Sequence, residues 1–187
     1  GTFIASAGID ESNADDLFVL WPRDPQGVAN RVRLYLRDRF HIEHVGVIIT
    51  DSKTTPLRWG VTGVAIAHSG FQALNDYRGE KDLFQRKLKV TQANVMDGLA
   101  GAVVLAMGEG KEQTPLAVIE NIPFVKFQDR NPSKKELGLL RISLGEDLYS
   151  PILKHVKWRK GEGGIKRRVL VFGIFDGLHK GHRMFLK

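Results

Sequence analysis

The sequence predicts an α+β fold with mixed or antiparallel strands packed against helices. Short apolar runs rich in β-branched residues follow one another, and only two long helical segments, residues 25–40 and 92–107, interrupt them. Strands that occur in runs, rather than alternating one by one with helices, indicate an α+β arrangement. Residues 168–187 then begin a separate strand, loop and helix pattern at the C-terminus.

The composition is that of a globular protein. Hydrophobic residues make up 42% of the 187 residues and charged residues 26%, which are ordinary proportions. The sequence contains no cysteine, so disulfides and thiolate metal sites are excluded, and a cytoplasmic location is expected. No apolar run reaches the length of a transmembrane helix, so no membrane association is expected.

The net charge of +7 is confined to the C-terminal tail. Residues 1–151 hold 18 basic and 19 acidic side chains, a net charge of −1, whereas residues 152–187 hold 10 and 2, a net charge of +8. Because the main body has no excess positive charge, nucleic-acid binding there is not expected. A basic linker at 156–167 that binds RNA or another polyanion stays open as an alternative, and steep salt dependence would reveal it.

Residues 45–50 predict a short strand buried on both faces, since five of the six are apolar or Gly. Asp51 follows directly and is predicted to end this strand. A carboxylate at the carboxyl end of a buried strand is a common ligand of a divalent cation. The alternative is an Asp that begins a turn.

Capping signals place the helices. Asp24 and Pro25 predict the start of a helix over residues 25–40, with Val28, Val32, Tyr35 and Leu36 on its apolar face. The opposite face carries arginines that are expected to be solvated: Arg31, Arg33, Arg37 and Arg39. Thr91 is predicted to cap the helix over residues 92–107, which ends at Gly108.

Shorter elements complete the pattern. We predict strands at residues 3–9, 17–21, 61–69, 87–91 and 115–120, a loop over 70–79 and a last helix at 146–156. Ser133 and Glu136 form the sequence signature of a capping box. His68 is predicted to be a hydrogen-bonded core residue, and Trp59 either a core residue or a neighbour of a bound nucleotide.

Six blocks, taken together, resemble the gamma-glutamyl ligase family that elongates coenzyme F-420. They are GIDESN at 8–13, VGVIITDS at 45–52, R-W-G with V-A-I at 58–66, SG..AL.DYRG..D at 69–82, R.L.VT at 86–91 and MGEG at 107–110. The resemblance covers residues 1–155 as one domain of the glutamate ligase fold. In this family about a third of the enzyme precedes GIDESN, so we expect the present chain to lack that part.

The resemblance implies a GTP-driven amide ligation between L-glutamate and the terminal carboxylate of a small-molecule acceptor. It also implies a divalent metal, Mg²⁺ or Mn²⁺, with K⁺ as a further candidate cation, and a homodimer. By motif position, the metal ligands are Asp10, Asp51 and Glu109, with help from the Ser52 hydroxyl. Asp51 and Arg58 are the expected catalytic residues.

The other residues that the resemblance assigns carry alternatives. Asn13 and Ser52 are expected at the nucleotide, and Arg78, Lys81 and Arg86 at phosphates or at the anionic groups of the acceptor. Each cation could instead be a surface residue, Asp10 could cap a turn with Asn13, and Glu109 could be a solvated loop carboxylate. Asp82 could join the metal site or pair with a nearby cation.

The sequence departs from the family pattern beside the expected metal site. Thr54 and Thr55 stand where a Gly-Arg pair is usual, and Gln85 replaces a usual Gly. These departures affect the identity of the acceptor more than the ligation chemistry. A folate-type acceptor that carries a glutamate tail is therefore an alternative to a coenzyme F-420-type acceptor. A chain that binds nucleotide without turnover is a second alternative.

The C-terminal segment VLVFGIFDGLHKGH resembles the start of the cytidylyltransferase-like nucleotidyltransferases, with Ile174 where Thr is frequent. The resemblance implies that residues 168–187 are the first β-α unit of a Rossmann-like domain. It also implies that His179 and His182 bind nucleotide phosphates. One strand and one helix are too little sheet for such a domain, so we expect this piece to be incomplete.

Overall fold

A computed structural model describes residues 9, 10, 17 and 19–155. Within these residues the fold is α+β, as predicted, and every sheet is two-stranded and antiparallel. The strands are β1 (Ile9–Asp10), β2 (Val19–Leu20), β3 (Val47–Thr54), β4 (Val61–Ser69), β5 (Leu74–Asp76) and β6 (Gln92–Asn94). The helices are α1 (Pro25–Phe40), α2 (Val95–Met107), α3 (Lys134–Leu139) and α4 (Ser150–His155).

The chain divides into two compact units. Pro22–Leu140 forms one, which contains α1 to α3 and the β3–β4 and β5–β6 hairpins. The other contains the described residues up to Trp21 and those from Arg141 onward. In it, β1 pairs with β2 through Ile9 opposite Leu20 and Asp10 opposite Val19, so Asp10 lies in a paired strand.

Helix α1 begins as predicted. The Asp24 side chain accepts a hydrogen bond from the Gly27 N–H at 2.9 Å, and Pro25 occupies the first helical position. An oxygen acceptor at the N-cap satisfies one of the free N–H groups of the first turn. A Pro at the first helical position costs no helical hydrogen bond, because an N–H there has no partner within the helix. His41, in the left-handed conformation, ends the helix.

The buried stripe of α1 differs from the predicted one. Ala29 and Arg33 are buried, whereas Val32 and Tyr35 are exposed. The prediction that Arg33 is solvated is therefore wrong. Its guanidinium donates to the Gln128 backbone oxygen at 3.3 Å, and its stem packs against Gly70, where a Cβ would lie 2.6 Å from the Arg33 Nε. Burial lowers the pKa of Arg33 below its usual value.

The β3–β4 hairpin is the centre of this unit. Strand β4 has the predicted bounds and is largely buried, while β3 continues past the predicted end to Thr54 and is only half-buried. Two predictions are corrected here: β3 is not buried on both faces, and Asp51 lies inside the strand rather than at its end. The sheet has only two strands, and helices α1 and α2 pack mainly on β4. Only β4 therefore shows the burial on both faces that a continuous apolar run predicts.

Helix α2 packs across β4 at very short range. Ala65 of the strand meets Met96 and Ala100 of the helix in a core that also contains Phe71 and Ala73. Gly63 permits the contact: a Cβ there would lie 2.2 Å from the Ala100 backbone oxygen and 2.6 Å from Val104 Cγ2. Small residues on both elements let the two backbones approach this closely.

The start of α2 is three residues later than predicted. Asn94, not Thr91, is the N-cap, and its side chain accepts from the Asp97 N–H at 3.0 Å. Residues 87–91 do not form the predicted strand. Strand β6 lies directly after them at Gln92–Asn94 and pairs with β5, which lies inside the segment predicted as a loop. Helix α2 ends at Met107 with Gly108 as its C-cap, as predicted.

The remaining predictions have mixed outcomes. Residues 115–120 form no strand and are exposed, since none of the described residues supplies a partner strand. The capping box of Ser133 and Glu136 is confirmed at the start of α3. The last helix is α4, shorter than the predicted 146–156. Among the described residues, no helix combines the length and the apolar character that crossing a membrane requires.

Gly63→Ala should destabilise the protein by about 2–4 kcal/mol, because its Cβ overlaps rigid backbone. Gly98→Ala is the matched control: it lies on the exposed side of α2, with no atom within 4 Å of the added Cβ. It should stabilise the protein by up to about 1 kcal/mol through helix propensity. Denaturant unfolding of both variants measures this, and equal effects would contradict the packing described.

Candidate active site

Two predicted site residues, Asp51 and Ser52, are neighbours in the middle of β3. Asp51 pairs with Val64 and Ser52 pairs with Gly63. Successive strand residues point to opposite faces, so only Ser52 shares the face on which Gly63 meets α2. The Asp51 Oδ1 accepts the backbone N–H of the next residue, Ser52, at 2.7 Å.

Ser52 and Glu109 are brought together across 57 residues of sequence. The Ser52 hydroxyl oxygen lies 2.7 Å from Glu109 Oε1 and 2.9 Å from Oε2. Glu109 follows the C-cap of α2, where Gly108 has a positive φ of 85° and its N–H donates to the Val104 oxygen. The end of α2 thus sets a carboxylate over the Ser52 face of the hairpin.

The described residues contain no group of three His, Asp or Glu side chains placed to hold a metal ion. Of the predicted metal ligands, Asp51 projects from the face of β3 opposite to that of Ser52. Asp10 belongs to β1 of the other compact unit, where it pairs with Val19. The Ser52–Glu109 pair offers one carboxylate and one hydroxyl, which are hard oxygen ligands of the kind Mg²⁺ and Mn²⁺ accept.

Arg58 lies in the turn that joins β3 to β4. The turn is closed by a hydrogen bond of 3.2 Å from the Arg58 N–H to the Thr55 oxygen, and Leu57 has a positive φ of 61°. Leu57, Arg58 and Trp59 are all exposed. The prediction that Trp59 is a core residue is wrong, while a position beside a nucleotide stays a prediction.

Three other predicted cations share one irregular hairpin between β5 and β6. Lys81 forms an antiparallel bridge with Lys87, and the Arg86 N–H donates to Asp82 Oδ1 at 2.8 Å. Asp82 also accepts the Phe84 N–H at 2.8 Å, so it shapes this turn. Arg78 is exposed on the same hairpin. These cations are close in sequence and share one element, and their role at an anion stays a prediction.

Arg78 is held by a carboxylate of its own. Its Nε lies 2.9 Å and 3.1 Å from the two Asp76 oxygens, and its Nη2 lies 2.6 Å from Oδ2. These hydrogen bonds lower the pKa of Asp76 from 3.8 to about 2. A phosphate that binds Arg78 must share or displace this partner, whereas Lys81 and Arg86 form no ion pair within the described region.

His68 is a buried residue of β4, as predicted. Its ring packs edge-on against Phe71 at 5.3 Å between centroids, and burial lowers its pKa below 6.5. Its Nδ1 has no hydrogen-bond partner among the described residues, which differs from the predicted hydrogen-bonded ring. His68 also lines a cavity of about 230 Å³ with Phe71, Gln128 and Glu136.

Sequence reasoning missed Asn94 and Asp97. Asp97 Oδ1 accepts the Ala65 N–H at 3.0 Å, and its Oδ2 accepts the Asn94 side-chain amide at 2.7 Å. The signal was present, because Asn94 followed three residues later by Asp97 is a capping pattern, whereas Thr91 has no such acidic residue after it. Asn13, His179 and His182 lie outside the described residues, so their predicted roles stay predictions.

A family model described as F420-0:gamma-glutamyl ligase matches residues 1–121. The chain belongs to this family. The match includes the β3–β4 hairpin, α2 and Glu109, and so contains the Ser52–Glu109 pair. It ends before α3, and the nucleotidyltransferase resemblance predicted for residues 168–187 lies outside both the matched range and the described residues.

Relatives named coenzyme F420:L-glutamate ligase are similar over the same region. The protein of Methanopyrus kandleri is 44% identical over 123 residues, which is 65% of this chain and 48% of the relative. That of Methanocaldococcus jannaschii is 40% identical over 133 residues, or 70% and 53%. The Archaeoglobus fulgidus protein is 40% identical over 123 residues, or 65% and 49%. The chain spans about half the length of these curated relatives.

The pKa of Asp76 should rise from about 2 toward 3.8 in Arg78→Gln, because the hydrogen bonds that favour the carboxylate are removed. NMR titration of the side-chain carboxyl measures it, with Lys81→Gln as the control. The folded-state pKa is the lower one, so the ion pair supports folding above pH 3.8 and this support is lost as the pH falls toward 2. A low pKa that persists in Arg78→Gln would refute the assignment.

Proposed function

We propose that this chain carries part of the active site of a GTP-dependent gamma-glutamyl ligase, which joins L-glutamate to the terminal carboxylate of a coenzyme F420-type acceptor. The observation that carries the proposal is the contact between Ser52 and Glu109. It unites two motifs of the family at one point of the fold. The names of the relatives supply the acceptor and the amino acid that we assign.

The proposed chemistry proceeds through an acyl phosphate. A carboxylate is a poor electrophile because its leaving group would be oxide. Transfer of the γ-phosphoryl group of GTP to the acceptor carboxylate releases GDP and creates a good leaving group. The amino nitrogen of glutamate, after losing a proton, then attacks the acyl carbon. The C–N bond forms, the C–O bond to phosphate breaks, and inorganic phosphate leaves.

A divalent cation, when bound, would neutralise phosphate charge during phosphoryl transfer. Glu109 and the Ser52 hydroxyl would hold it. The described residues contain no group of three His, Asp or Glu side chains placed to bind a metal ion, and this is compatible with the proposed role. Mg²⁺ is commonly bound through one or two carboxylates, with substrate phosphates and water completing its shell. Asp51, the expected metal ligand and catalytic residue, would contribute its carboxylate from the opposite face of β3, where this carboxylate accepts the Ser52 N–H. Asp10 and K⁺ remain part of the proposal as further contributors.

The cations would bind and orient anionic groups. Lys81 and Arg86 present positive charge on the hairpin between β5 and β6, and Arg58 does so at the tip of the β3–β4 hairpin. Arginine and lysine bind phosphate through charge-assisted hydrogen bonds. A folate-type acceptor, which also ends in a glutamate carboxylate, is the alternative acceptor. The homodimer and the cytoplasmic location belong to the same proposal.

Glu109→Gln should abolish the stabilisation that GTP with Mn²⁺ confers. A ligand that binds only the native state at 100 times its Kd adds about 2.7 kcal/mol, which a thermal unfolding experiment resolves easily. Ser52→Ala should weaken the effect, and Glu120→Gln, which changes an exposed carboxylate outside the six motif blocks, should preserve it. GTP without the cation serves as the blank. A full shift retained in Glu109→Gln would exclude this carboxylate from the site.

A further inference from the structure

The β3–β4 pairing contains a one-residue register shift close to the site. From Val47 opposite Ser69 to Ile49 opposite Ala67 the pairing is regular, but the next pair is Thr50 with Ala65. Ile66 is therefore an extra residue in β4. Such a bulge changes which residues of the two strands face each other, and with them the side chains that share a face.

Asp97 holds the strand at this shift. Its Oδ1 accepts the backbone N–H of Ala65, the first residue paired after the shift, at 3.0 Å. A carboxylate from the first turn of α2 thus binds the backbone of β4 across 32 residues of sequence. Asn94 contacts the same side chain from the N-cap of α2: its side-chain amide donates to Asp97 Oδ2 at 2.7 Å, and its Oδ1 accepts the Asp97 N–H at 3.0 Å.

The shift decides which residue of β3 faces α2. With it, Ser52 lies opposite Gly63, the residue that contacts the Ala100 backbone. If the earlier pairing continued without the extra residue, Asp51 would lie opposite Ala65 and Ser52 opposite Val64. The Ser52 side chain would then project from the other face of the hairpin, because a register slip of one residue reverses the face from which each side chain of the strand projects. Its hydroxyl would lose Glu109.

We propose that Asp97 is a positioning residue, which fixes the register of the β3–β4 hairpin so that Ser52 meets Glu109. Asp97 acts through the Ala65 N–H and touches neither Ser52 nor Glu109 through any hydrogen bond of the described residues. The role of the Ser52–Glu109 pair in holding a cation rests on the proposed function, whereas the control of strand register by Asp97 does not.

The experiment compares Asp97→Ala, Asp97→Asn and Asn94→Ala in the full chain. Asp97→Ala removes the acceptor of the Ala65 N–H, and Asp97→Asn keeps a side-chain oxygen in that position. Asn94→Ala is the matched control, because it removes the N-cap of α2 and the partner of Asp97 Oδ2 but keeps the bond to Ala65. Thermal unfolding confirms that each variant is folded before the other measurements.

The first measurement is the register, read from backbone proton contacts across the two strands by NMR. Asp97→Ala should lose the contacts between Thr50 and Ala65, while Asp97→Asn and Asn94→Ala should keep them. Persistence of the Thr50–Ala65 pairing in Asp97→Ala would overturn the proposal. This measurement needs no ligand, so it decides on Asp97 even if the proposed function fails.

The second measurement is the affinity for Mn²⁺, followed by paramagnetic relaxation. Outer residues that orient metal ligands typically contribute about 10- to 100-fold in affinity, so Asp97→Ala should lose at least the lower value. Asp97→Asn should recover most of the affinity and Asn94→Ala should retain it. An equal loss in Asn94→Ala would assign the effect to general destabilisation and refute a positioning role. No Mn²⁺ binding by the unmodified chain would refute the proposed metal site alone.

Discussion

The close approach of α2 to β4 at Gly63 is the constraint on which the rest of the larger unit depends. A side chain larger than hydrogen at this position would collide with the Ala100 backbone oxygen, so the separation of helix and strand is fixed by backbone atoms. Two consequences follow from one contact. Ser52, paired with Gly63, faces the helix, and Glu109, just past the helix end, reaches the same place. A site made of residues 57 positions apart thus derives its geometry from packing rather than from its own hydrogen bonds.

Polar contacts then select one arrangement among those that packing allows. Asp97 binds the strand where the register shifts, and Arg33 binds the Gln128 backbone from inside the core, against Gly70. Both are charged groups that bind backbone, a type of hydrogen bond that contributes about 1.5–3 kcal/mol, and leaving either partner buried and unpaired would be costly. Such contacts add specificity that the small core of alanines around Ala65 and Ala100 could not supply by shape alone.

The cations that are candidates for phosphate binding differ in what surrounds them. Arg78 is paired with Asp76, so a phosphate that binds Arg78 must share or displace this carboxylate. Lys81 stands directly across from Lys87, and an anionic ligand would relieve the repulsion between these two like charges. This difference favours Lys81 and Arg86 over Arg78 as the residues that contribute net affinity for a polyanionic ligand.

Local signals in the sequence determined where α1 and α3 begin, where α1 and α2 end, and which family the chain belongs to. Asp24 with Pro25, Ser133 with Glu136, and Gly108 act on backbone groups within four residues, so they are legible without the fold. The six motif blocks included Ser52 and Glu109 in a larger set of expected site residues, in which Asp10, Asp51 and Glu109 were the expected metal ligands. Only the tertiary structure decided that Arg33 is buried, that Ser52 rather than Asp51 faces α2, and that β6 lies at residues 92–94. Burial depends on what another element covers, and strand facing depends on a register set by a helix 32 residues away. The hydrophobic periodicity of a single segment therefore reveals neither which residues another element covers nor which face of a strand meets the helix.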